Sequence, residues 1–70
     1  MIAIRLNGSQ REVSEDLALS DLLKEQGIDP AHARGIAVAV NERIVRRPDW
    51  SERILASGDD VAIVTARQGG

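Results

Sequence analysis

The stretch LSDLLKEQG at residues 19–27 decides the fold, because its apolar residues follow a helical period. Leucines at positions 19, 22 and 23 line one face of a helix, while charged residues take the opposite side. Gly27 suits the left-handed position that ends a helix. The start is less sharply marked, since either Asp16 or Ser20 can cap it. One short amphipathic helix is therefore predicted over residues 19–26.

Segments on both sides of this helix alternate between apolar and polar or small residues, which is typical of strands packed on one face. These segments span residues 2–6, 10–14, 36–40, 44–45 and 60–66. The pair Asn7-Gly8 is a strong signal for the tight turn of a hairpin. One helix covering one face of such a sheet gives a two-layer α+β domain, with the first and last strands adjacent in its middle.

Length and composition limit the function. Seventy residues form one domain, whose small core is expected to supply about 3–5 kcal/mol of stability. A chain of this size favours a carrier, subunit or binding module over a free-standing enzyme. With one Trp and neither Phe nor Tyr, the core is predicted to be aliphatic.

Charge and residue usage exclude several kinds of site. The net charge of −2 and the lack of stacking aromatics argue against nucleic-acid binding. Without cysteine there is no thiolate ligand, and His32 alone does not provide the ligand set of a metal site. The sequence contains neither a leader pattern nor an apolar run of membrane-spanning length. We therefore expect a cytoplasmic protein that is monomeric when free.

The chain ends on Gly69-Gly70, directly after the last predicted strand. Glycine has no side chain and accepts nearly any backbone conformation, so such a tail can enter a narrow channel. Its terminal carboxylate can then be presented to a reactive phosphate in another protein. This makes Gly70 the candidate site of chemistry.

Six motifs in chain order resemble ThiS-type sulfur carriers of thiamine biosynthesis, which belong to the ubiquitin-like β-grasp superfamily. They are LNG at 6–8, QGIDP at 26–30, VAVNERIV at 38–45, Pro48 with Trp50, GDDVAIV at 58–64 and GG at 69–70. The resemblance implies a β-grasp domain over residues 1–66 and a flexible tail over residues 67–70. Two features depart from the family pattern. Ala18 stands where the family often has Thr or Ser at the helix N-cap, and the segment at 31–34 is long.

The resemblance also implies a function without a catalytic residue or a bound cofactor in this chain. A ThiF-like enzyme would use ATP to adenylate Gly70 and then install sulfur as a thiocarboxylate. A ThiG-like thiazole synthase would receive that sulfur. Arg67, Gln68 and Gly69 would accompany the terminus into the partner and serve its recognition.

Strand parity predicts a second functional region on the sheet face that the helix leaves open. The residues expected there are small and apolar, and they are Ala3, Ala37, Ala39, Ala62 and Val64. A contiguous apolar patch on a small protein is typical of a docking surface, so we interpret this face as the partner interface.

Three other functions stay open at this point. One is the small subunit of molybdopterin synthase, which shares the fold and the thiocarboxylate. Another is a sulfur carrier for cysteine or a specialised metabolite. The third is a ubiquitin-like tag conjugated to lysines, or an interaction domain whose tail has no chemistry.

Overall fold

Five strands form one mixed sheet, and an α-helix packs on one of its faces. The computed structural model describes residues 1–32 and 34–65. In chain order the elements are β1 Ile2–Leu6, β2 Ser9–Val13, α1 Leu19–Glu25, β3 Ile36–Val40, β4 Arg43–Val45, a 3₁₀ turn Arg47–Asp49 and β5 Asp60–Thr65. The strand order is β2-β1-β5-β3-β4. Strands β1 and β5 are parallel neighbours and the other pairs are antiparallel, so the predicted β-grasp arrangement is confirmed.

Two hairpins are closed by two-residue turns in which both central residues have positive φ. These are Asn7-Gly8, with φ of 49° and 85°, and Asn41-Glu42, with φ of 53° and 69°. Such turns match the right-handed twist of the strands they join, and asparagine and glycine tolerate them best. The turns fix the register, so that Leu6 faces Ser9 and Val40 faces Arg43.

The N-cap position of helix α1 is Ala18, so neither Asp16 nor Ser20 caps the helix and that expectation was wrong. Backbone carbonyls of the segment that joins β4 to β5, residues 46–59 (the crossing segment), accept hydrogen bonds from the helix start instead. The N–H of Leu19 donates to the Arg53 carbonyl at 2.8 Å, and the N–H of Ser20 donates to the Trp50 carbonyl at 3.0 Å. These two N–H groups are thereby paired with backbone carbonyls, while the Ala18 N–H donates to the Asp21 carboxylate at 3.3 Å.

Gly27 ends the helix as predicted, with φ of 82°. Its N–H donates to the Lys24 carbonyl at 3.0 Å, and the N–H of Ile28 donates to the Leu23 carbonyl at 2.9 Å. Together these bonds make a Schellman motif. Ile28 then packs against the core, which directs the chain back toward β3.

The core lies between α1 and the inner face of the sheet and is almost wholly aliphatic, as predicted. Its members are Ile4, Leu6, Val13, Leu19, Leu22, Leu23, Val38, Val40, Trp50, Leu55 and Val61. Trp50 is the aromatic exception, and its indole Nε1 donates to the Val45 carbonyl at 2.8 Å. This bond ties the crossing segment to β4.

The carboxylate of Asp59, the residue immediately before β5, is buried. It accepts hydrogen bonds from the Ala56 N–H at 2.8 Å, the Asn41 amide at 2.9 Å and the Arg53 guanidinium at 3.1 Å. Burial by itself raises the pKa of Asp59, but these bonds and the Arg53 charge outweigh it and hold the pKa below its usual value. Asp59 therefore joins the β3–β4 turn, the crossing segment and β5.

Candidate docking face and tail exit

The tail lies outside the part of the chain that the structure describes. This applies to Arg67, Gln68, Gly69 and Gly70, so their assigned roles stay predictions, as does the domain boundary after residue 66. The described backbone runs to the end of β5 at Thr65, which places the exit of the tail at that end of the sheet.

Four of the five predicted docking residues meet on the open face of the sheet. Ala39 lies opposite Ala62, and Ala37 lies opposite Val64 across the β3–β5 ladder. Ala37, Ala62 and Val64 are exposed, and Ala39 is half-buried. The two pairs form two adjacent rows that run across β3 and β5, and these neighbouring strands lie about 4.8 Å apart.

Ile44 on β4 continues the row of Ala62 and Ala39 across the sheet, and it was not among the predicted docking residues. It lies opposite Ala39 in the β3–β4 hairpin and is 70% exposed. The signal was present, because a two-residue turn at Asn41-Glu42 fixes this pairing. We call Ala37, Ala39, Ile44, Ala62 and Val64 the outer-face strip.

Ala3 points to the same face but lies apart from the outer-face strip. The register of the parallel pair puts Arg5 opposite Asp60. Ala3 is two residues before Arg5, whereas Ala62 is two residues beyond Asp60, so the two alanines are offset by about 13 Å along the strands. The sequence alone does not give this offset, because the register of two strands far apart in the chain depends on the whole fold.

The outer-face strip runs toward the tail exit. Val64 immediately precedes Thr65, the last residue of β5. Val64 is also 61% exposed, and together with the exposed Ile44 it makes the strip a contiguous apolar surface. A partner covering the strip would therefore also contact the strand from which the tail leaves.

A groove of about 690 Å³ adjoins the strip at the β4 edge. It shares Ile44 with the strip, and its lining also includes the exposed Arg43, Asp49 and Glu52. Because its wall carries charges of both signs, this groove could form part of the polar rim of an interface whose apolar centre is the strip.

The described residues contain no group of three or more side chains that could hold a metal ion. His32 instead pairs with Asp29, whose carboxylate lies 2.7 Å from Nδ1 on the protein surface. That hydrogen bond, followed by one from the Ala31 N–H, lowers the pKa of Asp29. Within residues 1–32 and 34–65, no helix is long and apolar enough to cross a membrane.

Solved structures share this fold. The crystal structure of the thiamine biosynthesis protein ThiS from Geobacter metallireducens superimposes with a TM-score of 0.79 at 24% identity, covering 99% of this chain and 100% of that one. An NMR structure of a thiamine biosynthesis protein from the same organism gives 0.77 at 24% identity, covering 99% and 88%. The crystal structure of SAMP1 from Haloferax volcanii gives 0.61 at 21% identity, covering 99% and 98%.

Family membership is carried by the sequence. No curated protein matches this chain significantly. The model of the ThiS family, however, matches residues 4–70, which includes every motif on which the resemblance rests. A sulfur-carrier role that requires activating and sulfur-transfer partners goes with that family. The chain belongs to the ThiS family of small sulfur carriers.

Proposed function

We propose that this protein carries sulfur as a C-terminal thiocarboxylate on Gly70 for the formation of the thiazole of thiamine. The observation that carries the proposal is the family match, which extends to residue 70 and so includes Gly69-Gly70. Activation and sulfur transfer are then reactions of the partners on this terminus. The chain itself supplies no catalytic residue and binds no cofactor.

The chemistry follows from the low reactivity of a carboxylate. An oxygen of the Gly70 carboxylate attacks the α-phosphorus of ATP in a ThiF-like enzyme, and pyrophosphate leaves. A persulfide sulfur then attacks the acyl carbon and AMP leaves. A thiol that cleaves the resulting acyl disulfide frees the thiocarboxylate, which a ThiG-like synthase consumes.

The position of the outer-face strip supports a division of labour between body and tail. Residues 66–70 can span at most about 17 Å when extended. A partner that holds the strip can therefore keep the globular body outside its active site while the terminus reaches ATP. Arg67, Gln68 and Gly69 are proposed to enter the partner with the terminus and to be recognised there.

Intact-mass spectrometry of the protein from its native cell tests the proposal. The expected result is a form heavier by the replacement of one oxygen with sulfur, and this form should be missing when Gly70 is deleted. Recovery of the chain linked to lysines of other proteins would instead indicate a conjugation tag. An unmodified terminus in cells that are making thiamine would contradict the proposal.

The acceptor needs a separate test. A strain lacking this gene should require thiazole or thiamine, and the Gly70 deletion should fail to restore growth. Loss of molybdopterin-dependent enzyme activity in that strain, or a growth requirement for cysteine, would instead identify one of the alternative acceptors. That outcome would keep the carrier chemistry and overturn the thiazole assignment.

A further inference from the structure

Strand β5 is flanked on both sides at its start but on one side at its end. Its pairing with β1 consists of Arg5 with Asp60 and Leu6 with Val61. Its pairing with β3 continues to Thr65, opposite Ile36. Beyond Val61, the β1 side of β5 is therefore a sheet edge, although β5 is the central strand of the sheet.

The side chain of Asn7 marks the point where this edge begins. The Asn7 N–H donates to the Val61 carbonyl at 2.9 Å, which is the last backbone bond of the β1–β5 ladder. The backbone then turns away at positive φ, and the amide oxygen of Asn7 accepts the Ile63 N–H at 2.8 Å. A side chain thus replaces the next carbonyl of the ladder.

The backbone groups that follow on this side are the Ile63 carbonyl and the Thr65 N–H. Asn41 N–H donates to the Asp60 carbonyl at 2.8 Å on the β3 side, so even-numbered β5 residues bond toward β3 and odd-numbered residues point toward β1. Within residues 1–32 and 34–65, no other backbone segment bonds to Thr65 from the β1 side.

This edge differs from the two outer edges of the sheet. Strand β4 is three residues long and its Val45 carbonyl accepts the Trp50 indole, while β2 carries exposed Arg11 and Glu12. Short or charged edges resist pairing with other strands. Residues 63–65, Ile-Val-Thr, have strong strand propensity and include neither a charge nor a proline.

We propose that an extended segment of the adenylating partner adds as a strand to the free edge of β5 at Ile63 and Thr65. The inference rests on the proposed function and deepens it. Gly69-Gly70 has no side chains, so a partner can recognise the terminus chiefly through its backbone. Strand addition starting at Ile63 is continuous with such recognition and directs residues 66–70 along the partner. The outer-face strip lies on the same strand, so one partner engages both.

Proline at position 65 tests the pairing, because it removes the N–H on the free edge and spares the bonds to β3. In ATP–pyrophosphate exchange with the ThiF-like enzyme of the same genome, Thr65→Pro should raise the carrier concentration needed for half-maximal rate by about tenfold. Thr65→Ala keeps the N–H and should match the wild type. Equal behaviour of the two variants, at equal thermal stability, would overturn the proposal.

Amide exchange on the wild-type protein gives an answer that does not depend on a variant folding. Adding the enzyme should slow exchange of the Thr65 N–H, whereas Val64, already paired with β3, serves as internal reference. Unchanged exchange at Thr65 in a complex that supports ATP–pyrophosphate exchange would overturn strand addition alone. Protection of Thr65 without the enzyme, rising with protein concentration, would assign the edge to a second copy. Failure of the wild-type protein to support exchange would instead count against the proposed function.

Discussion

At the scale of single residues, two asparagines hold β5 from opposite sides. Asn7 and Asn41 both adopt positive φ in tight turns, and both use the side-chain oxygen to accept a β5 N–H. Asn7 accepts from Ile63 at 2.8 Å, and Asn41 accepts from Asp60 at 2.9 Å. The turn at Asn7-Gly8 was predicted from the sequence, but these side-chain bonds were not, because they join residues that are distant along the chain.

Replacing Asn7 separates its two roles. Asn7→Gly keeps the backbone conformation but loses the acceptor for Ile63, so we expect unfolding free energy to fall by about 1 kcal/mol. Asn7→Asp keeps both an acceptor and tolerance of positive φ and should stay close to the wild type. Urea denaturation measures the difference. Equal losses in the two variants would mean that the Ile63 bond contributes nothing.

Asp59 should make stability depend on pH in the acid range. Its pKa is lower in the folded protein than its ordinary value, because its hydrogen bonds and Arg53 outweigh burial. A carboxylate with a lowered folded pKa stabilises the fold above its unfolded pKa of about 4 and loses that contribution as the pH falls through the folded value.

Asp59→Asn provides the comparison. The new amide N–H₂ would face the Asn41, Arg53 and Ala56 donors that bond to the wild-type carboxylate. The variant should therefore be less stable than the wild type by about 1–3 kcal/mol at pH 7. The gap should narrow as the pH falls below about 4, because the Asp59 carboxyl takes up a proton there in the unfolded chain and at still lower pH in the folded protein. Urea titrations of both proteins from pH 7 to pH 2.5 measure it. A gap independent of pH would show that the charge of Asp59 is not what stabilises the fold.

At the scale of elements, the two ends of α1 show why sequence reasoning succeeded at one and failed at the other. The helix ends through a bond from Gly27 to Lys24 and one from Ile28 to Leu23, all of which are close neighbours in the chain. The first turn is paired with carbonyls of Trp50 and Arg53, about thirty residues away. Local signals predict local bonds, and a distant acceptor leaves no mark near Ala18.

Gly27 is open to a direct test, because an added Cβ would meet nothing within 4 Å and only backbone strain changes. Gly27→Ala places an L side chain at φ of 82° and should cost about 1 kcal/mol of unfolding free energy. Gly27→Asn should cost less, since asparagine adopts this region more readily. Thermal and urea unfolding check the order. A stabilised alanine variant would mean that the Schellman turn is not retained.

At the scale of the whole molecule, the alternation of residues predicted the strands and which side of the sheet each residue faces, but not the offsets between strands. Four of the five predicted docking residues therefore meet, while Ala3 lies apart along β1. Ile44 joins through the hairpin register. The strip, the free edge and the tail exit all fall on or beside the last part of β5, which the parallel register and the early end of β1 bring about.

This arrangement predicts that binding of the adenylating partner depends on the apolar character of the strip. Ala62→Glu puts a carboxylate into the strip directly opposite Ala39, where a docked partner would remove it from water. We expect at least about tenfold weaker binding to the ThiF-like enzyme. Ala62 is exposed, so the fold should tolerate the change.

Gln10→Glu is the matched control, because it adds the same charge at an exposed position. Gln10 lies on β2 opposite Arg5, on the same face of the sheet but away from the strip. It should bind as the wild type does. Ala3→Glu then shows whether the dock reaches β1. Titration of each folded variant by calorimetry measures affinity, and Ala62→Glu binding as tightly as Gln10→Glu would remove the strip from the interface. Loss of affinity in all three variants would indicate instead that the partner reads the charge of the whole face, since a general repulsion does not distinguish the strip from the strands beside it.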